Sequence, residues 1–237
     1  MKYIKLFEDF ISNKPKPKIV MYYDKGVSVD TASIWSNFFR EYFAIEPHEM
    51  RSDEFDYKDF KNADLIVIPG GSSELEITAM TDSGKEGLKK FVNDGGKVLG
   101  VCAGAILISE CYDWSLGIIK AHHNKDFHEH IQNKTAFLNF KFENAGKEVF
   151  STLLDEVNLY YHWGPVFVSA DSSCEVLLRF NSEVPRESKE SESSIDKIAS
   201  IYSAYGKGHA LAISPHIEKS EKVKYLLANA INYLLNK

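Results

Sequence analysis

The stretch Lys97-Val98-Leu99-Gly100-Val101-Cys102-Ala103-Gly104-Ala105-Ile106-Leu107-Ile108 decides the fold. After Lys97, residues 98–101 are an apolar run entered through Gly95-Gly96, the pattern of a strand buried on both faces. Its last six are small or apolar and read as a buried helix. Between them stands a cysteine with glycine two positions to either side, at a strand-to-helix turn. That is the setting of a nucleophile elbow. A turn this tight forces its central residue into a strained backbone conformation, and glycine nearby avoids a clash. Cys102 is then expected to stand above the carboxyl edge of the sheet, with a helix N-terminus that favours its thiolate. The plain alternative is a small buried cysteine in a glycine-rich turn.

Upstream, residues 18–23 and 64–68 read as two more buried strands, the second ending in Pro69-Gly70-Gly71. Between them Ile34, Trp35, Phe38, Phe39 and Tyr42 fall at helical spacing, with Ser28 or Asp30 as the capping residue. A further helix over about 83–93 is stopped by Gly95-Gly96. Buried strands that alternate with helices predict an α/β fold, with a mainly parallel sheet covered on both faces. Downstream the pattern changes to short strands over 136–142, 157–161, 166–169 and 176–179, a β-rich insertion. Strands over 198–205 and 210–214 are joined through Gly206-Lys207-Gly208, and a last helix carries the stripe Val223, Leu226, Leu227, Ala230, Ile231, Leu234 and Leu235. Residues 181–196, rich in Ser and Glu, are expected to be a mobile surface loop, and removing 182–194 is expected to cost little stability. Residues 1–17 read as an arm and a Pro-containing linker, and 18–237 as a single domain.

Composition narrows the function. The 237 residues are 44% hydrophobic and 13% aromatic, enough for a sizeable core and unlike a disordered or fibrous chain. A formal net charge of -6 argues against a nucleic-acid partner, since nothing would neutralise a row of phosphates. Three cysteines, Cys102, Cys111 and Cys174, cannot all pair, which suits a reduced, cytoplasmic protein. No apolar run is long enough to span a bilayer, and the first ten residues interleave charge with apolar side chains, unlike a signal peptide. No membrane partner is therefore expected. Residues 121–130 hold four histidines and two acids, but their spacing matches no closed metal site, and neither a metal nor another cofactor is expected.

Two further stretches belong with the cysteine. In a parallel sheet Pro69-Gly70-Gly71 ends its strand on the same edge as the elbow, and its backbone N–H groups, with that of Ala103, suit the oxyanion of a tetrahedral intermediate. Ser214-Pro215-His216-Ile217-Glu218 lies between the last strand and the last helix, where the same edge is presented. His216 suits the acceptor of the thiol proton, and Glu218 the acid that orients the imidazole. Read singly, Glu218 is also an ordinary charge at a helix start and His216 an ordinary loop residue.

These three segments together resemble the class I glutamine amidotransferase-like superfamily. Tyr160-Tyr161-His162-Trp163-Gly164-Pro165-Val166-Phe167 and Tyr205-Gly206-Lys207-Gly208, running into Pro215-His216, resemble motifs of one branch of it, the family named for the N-terminal domain of eukaryotic biotin–protein ligases. The resemblance covers residues 18–237 and implies a flavodoxin-like three-layer α/β sandwich. It implies a Cys102–His216–Glu218 triad, Gly71 and Ala103 as oxyanion donors, and Gly70, Tyr161, His162 and Trp163 along the substrate. The chain departs from the pattern in places: Ile106 stands where glutamine-using members commonly carry Gln, His-Ile-Glu replaces His-Pro-Glu, and His162-Trp163 replaces Asn-Gly. Two functions follow. One is a cysteine-dependent amidohydrolase or amidotransferase acting on a small amide or peptide-like bond. The other is a non-catalytic module that keeps the fold and binds a ligand or partner near Tyr161, His162 and Trp163. Neither fixes an oligomeric state.

Overall fold

The computed structural model describes residues 16–123, 134–186 and 192–237. In chain order these form β1 (Ile19–Tyr22), α1 (Thr31–Phe43), β2 (His48–Met50), α2 (Tyr57–Phe60), β3 (Leu65–Ile68), α3 (Ser73–Ala79), α4 (Asp82–Asn93), β4 (Lys97–Val101) and α5 (Ala103–Ile108). There follow β5 (Ala121–His123), β6 (Ala136–Phe142), α6 (Asn144–Val149), β7 (Glu156–Tyr161), β8 (Phe167–Ala170), β9 (Cys174–Phe180), β10 (Ile198–Tyr205), β11 (Gly208–Ile213) and α7 (Lys224–Leu235).

The main strand order is β2-β1-β3-β4-β11-β10-β9-β6-β7, with β8 pairing to β10 and to β5. The first five strands are parallel. From β11 onward the pairing is antiparallel. The α/β architecture with helices on both faces is thus the one its strand pattern predicts. The β-rich insertion does not form a separate layer; it prolongs the parallel sheet through β10.

Alternation along the central strands separates two cores. Met21, Val67, Leu99 and Leu211 face α1 and α7, where Trp35, Phe38, Phe39, Leu227 and Ile231 cover them. Tyr22, Ile66, Ile68, Val98 and Ala212 face the other way, under α4 and α5, against Leu88, Phe91, Val92 and Ile106. Both faces are therefore apolar, which is why these strands read as unbroken hydrophobic runs. The shared edge of the parallel strands, where β3, β4 and β11 end, carries the turns at 69–71, 102 and 214–218.

Several elements lie outside what the hydrophobic pattern suggested: β2, α2, α3, β5 and α6 are all short. Val223 sits in a 3-10 turn (Glu221–Val223) rather than in α7. The Ser- and Glu-rich stretch needs the largest correction. Val184 is 2% exposed and Ser194 wholly buried. The Ser194 hydroxyl accepts from Val184 N at 2.8 Å, and Ser182 Oγ accepts from Asn139 N at 3.0 Å. One flank is bonded to β6 and the two flanks to each other, so shortening 182–194 would remove buried contacts. Its centre, 187–191, lies outside the described residues, as do most of the N-terminal arm and most of the histidine-rich stretch. Among the described residues no helix is long and apolar enough to cross a membrane.

Candidate functional site

Cys102 joins β4 to α5 with φ 53° and ψ -108°, a conformation strained for any residue with a Cβ. Its backbone is held from two sides: Cys102 N donates to Ile213 O at 2.9 Å, and Gly104 N donates to Pro69 O at 3.0 Å. The glycines on either side are required by close approach. A Cβ on Gly104 would lie 2.0 Å from Ile68 O, and one on Gly100 would lie 2.4 Å from Gly104 O. The elbow is thereby wedged against β3, which delivers Pro69-Gly70-Gly71 beside it. Helix α5 is only six residues long, so its help to an anion is local, through the N–H groups of its first turn.

The 69–71 turn is fixed by the 24–30 loop. Ser28 N donates to Gly70 O at 3.2 Å and Ser72 N to Gly26 O at 2.8 Å, a bridge in which Val27 faces Gly71 and the Gly71 N–H takes no part. Gly70 stands between the proposed nucleophile and base: a Cβ there would lie 3.2 Å from Cys102 Cβ and 2.7 Å from His216 Cε1.

His216 and Glu218 arrive just after β11, Glu218 in a 3-10 turn (Ile217–Lys219). Both are buried, with Glu218 at 1% exposure. His216 Nδ1 lies 2.6 Å from Glu218 Oε1. The loop is docked on β7, since His216 N donates to Tyr160 O at 2.8 Å and Ser220 Oγ donates to His216 O at 3.0 Å. Burial alone would push the imidazole toward its neutral form. The charges of Glu218 and then Cys102 outweigh it, so His216 holds its proton well above the usual range. With Nδ1 turned to Glu218, Nε2 is the nitrogen left for the thiol.

Residues 161–164 close the site from above. The Cys102 thiol donates to the His162 carbonyl at 3.4 Å, and Cys102 is 5% exposed. Trp163 takes φ 58° and is 42% exposed, its ring stacked 6.4 Å from that of His162. Burial, and then the charges of His216 and Lys219, hold the His162 imidazole below its usual range. Tyr161 differs from its sequence reading as a pocket wall: it is wholly buried against Phe180, and its hydroxyl donates to Gly164 O at 2.7 Å. It shapes the loop and does not face open space.

The sequence reading passed over Glu76. This α3 carboxyl is fully buried, neither of its oxygens has a partner, and Oε1 would lie 2.9 Å from a Cβ on Gly71. The legible signal was its spacing, one turn before the buried Met80 and next to the buried Ile77. A cleft of about 460 Å³ near β5, lined by Glu110, Tyr112, Lys120, His122 and His123 among others, shares no residue with the cysteine site. Among the described residues no three His, Cys, Asp or Glu side chains are grouped as metal ligands.

Solved structures share this architecture at low sequence identity. The structure of PurLQS from Thermotoga maritima is 18% identical with a TM-score of 0.67, the alignment covering 93% of this chain and 100% of that one. A protein described as a GMP synthase subunit, from Thermoplasma acidophilum, is 13% identical with a TM-score of 0.65, covering 94% and 96% of the two chains. A protein described as a glutamine amidotransferase is 19% identical with a TM-score of 0.58, covering 86% and 97%. At these identities the likeness is one of fold. No curated protein matches the sequence. The profile of the family described as "Biotin-protein ligase, N terminal" matches residues 18–232, nearly the whole chain. With the glutamine amidotransferase-like fold around it, that match makes the chain a member of the biotin-protein ligase N-terminal family.

Proposed function

We propose that this protein is a cysteine-dependent amidohydrolase or amidotransferase acting on a small amide or peptide-like bond. The observation that carries the reading is the buried His216–Glu218 pair at 2.6 Å beside an elbow cysteine. Cys102 gives its proton to His216 Nε2 and the thiolate attacks the substrate carbonyl. The new oxyanion is held by the N–H groups of Gly71 and Ala103. The imidazolium then protonates the leaving nitrogen, the C–N bond breaks and an acyl thioester remains on Cys102. His216 next takes a proton from water or an amine, which attacks the thioester; cleavage of the C–S bond releases the acyl product and the proton returns to the thiol. Glu218 holds the imidazole in the right tautomer and balances its charge. The fold shared with a glutamine amidotransferase supports this chemistry, while Ile106 in place of Gln favours an amide other than glutamine.

Intact-mass analysis tests it. Incubation with an electrophilic glutamine analogue and with a panel of small amides should leave one adduct, mapped to Cys102 and absent from Cys102→Ser. A chain that takes up iodoacetamide at Cys102 yet forms no acyl adduct with any amide, and hydrolyses none, overturns the reading. The thiol's bond to the His162 carbonyl favours the second reading, a ligand-binding module whose cysteine is capped. Saturable binding of a small molecule without turnover, unaffected by Cys102→Ser, would identify that case.

A further inference from the structure

The group that the proposed chemistry leaves unused is Glu76. Its carboxyl is completely buried and both oxygens lack a hydrogen-bond partner. Burial without a partner or a nearby cation disfavours the ionised carboxylate, so the group holds its proton more tightly than an exposed acid does. Even the neutral acid forgoes the hydrogen bonds it would make in water. A site with no use for the acid would be better filled by Leu or Met.

Its position suggests the use. Glu76 lies in α3, immediately after the 69–71 turn. Its Cγ would lie 2.6 Å from a Cβ on Gly26, and its Oε1 2.9 Å from one on Gly71. Both glycines of the bridged turn therefore leave room for this side chain. The next residue back, Gly70, packs on Cys102 and His216. The carboxyl thus backs the same two-residue turn that fronts the thiol and its base. The groups that act on it are acidic or neutral: Tyr22 on β1, whose hydroxyl is pushed up to about 12 chiefly by burial and also by Glu76, and Cys102 at the elbow. Beyond Gly70 stand His216 and Glu218, and Tyr161 is buried within electrostatic reach of Cys102. On α3 itself Glu74 is exposed.

We propose that Glu76 sets an alkaline limit on the thiol site: it is a buried acid behind the Gly70–Gly71 turn, uncharged while thiolate and oxyanion form and an opposing anion once its proton is lost. The inference rests on the cysteine-nucleophile reading above. It gives the site an alkaline limit: once Glu76 loses its proton, a second anion faces Cys102, and both thiolate and oxyanion are disfavoured. Burial, with the charge of Cys102 added, already holds the Glu76 carboxyl well above its ordinary value of 4.5.

The test follows iodoacetamide modification of Cys102 against pH in the full chain, by peptide mass. Wild type and Glu76→Gln should react alike near neutrality. At alkaline pH the wild type should fall several-fold behind and rise less steeply than a single-proton curve. The infrared spectrum of the wild type at neutral pH should contain a protonated-carboxyl band that is missing from Glu76→Gln and from Glu76→Leu. The Leu variant stands in for the comparison if the Gln variant does not fold. Coincident alkylation profiles with a reactive Cys102, or a wild-type spectrum without that band, overturn the role of Glu76 alone. A Cys102 that never reacts faster than Cys111 or Cys174 overturns the nucleophile reading and this inference with it.

Discussion

The Cys102 thiol and the His162 carbonyl oxygen are joined by a 3.4 Å hydrogen bond, so the atom proposed to attack a carbonyl already engages one from its own chain. On the proposed chemistry a substrate carbonyl would displace it, and the 161–164 segment would have to yield.

Trp163 is expected to set how readily it yields. A large aromatic side chain at φ 58° is strained, and glycine adopts that conformation without penalty. Trp163→Gly removes both the strain and the stacking on His162, leaving the segment longer-lived in alternative conformations. Alkylation of Cys102 should rise several-fold at fixed pH, while the melting temperature moves by only a few degrees. An unchanged alkylation rate would show that 162–163 does not limit access.

His216 and Glu218 should separate by degree. His216→Ala removes the proton acceptor and is expected to slow Cys102 alkylation at neutral pH about tenfold or more, with the donors of the first α5 turn retained. Glu218→Gln keeps the imidazole and disturbs only its orientation and charge balance, so its loss should be smaller. Parallel rate measurements on the two variants, with Cys111 and Cys174 as internal references, check the order. Equal rates in wild type and His216→Ala would mean that no thiol–imidazole unit is assembled.

Two glycine substitutions should fail in different ways. Alanine at Gly70 meets the Cys102 and His216 side chains at 3.2 and 2.7 Å, so it should push the pair apart and lower Cys102 reactivity about ten- to a hundredfold with little loss of stability. Alanine at Gly104 meets the Ile68 carbonyl at 2.0 Å, which is backbone and cannot swing away. It should destabilise the fold by about 3 kcal/mol or more. Denaturant midpoints alongside alkylation rates distinguish the two effects.

Stability should decline as pH rises across the neutral range. His216 is raised in the folded state, so what it contributes is complete below its ordinary 6.5 and lost as pH climbs through its folded value. Glu76 is also raised; it binds its proton more tightly when folded, and stability falls with pH from 4.5 upward until it ionises in place. Melting temperatures from about pH 5 to about pH 9 should therefore slope downward, and less steeply in Glu76→Gln, which should melt higher than wild type at neutral pH. A slope identical in the two proteins would contradict this.

The parts legible in the sequence are those set by local pattern. Strands β1, β3 and β4 are buried on both faces and announce themselves as apolar runs, and the spacing of Gly100, Cys102 and Gly104 marks the elbow because packing on Ile68 and Gly104 leaves no room for side chains. The hidden parts depend on long-range pairing. The sequence of β2, His48-Glu49-Met50, has two exposed residues of three and carries no periodic signal. The polar stretch around Ser194 reads as solvated, but its hydroxyls satisfy the backbone of Val184 and let that side chain into the core. Glu76, an acid in a polar segment, reads as surface until β1 and the elbow close over it.

Strand β11 lies between β4 and β10, and His216 and Glu218 follow directly from it. This ordering has a consequence for the newly made chain. Cys102 emerges from the ribosome more than a hundred residues before His216 and Glu218, and the strand that pairs with β4 on that side, β11, is the last in the chain. If His216 and Glu218 act as proposed, the thiol gains them only when the last strand completes the sheet.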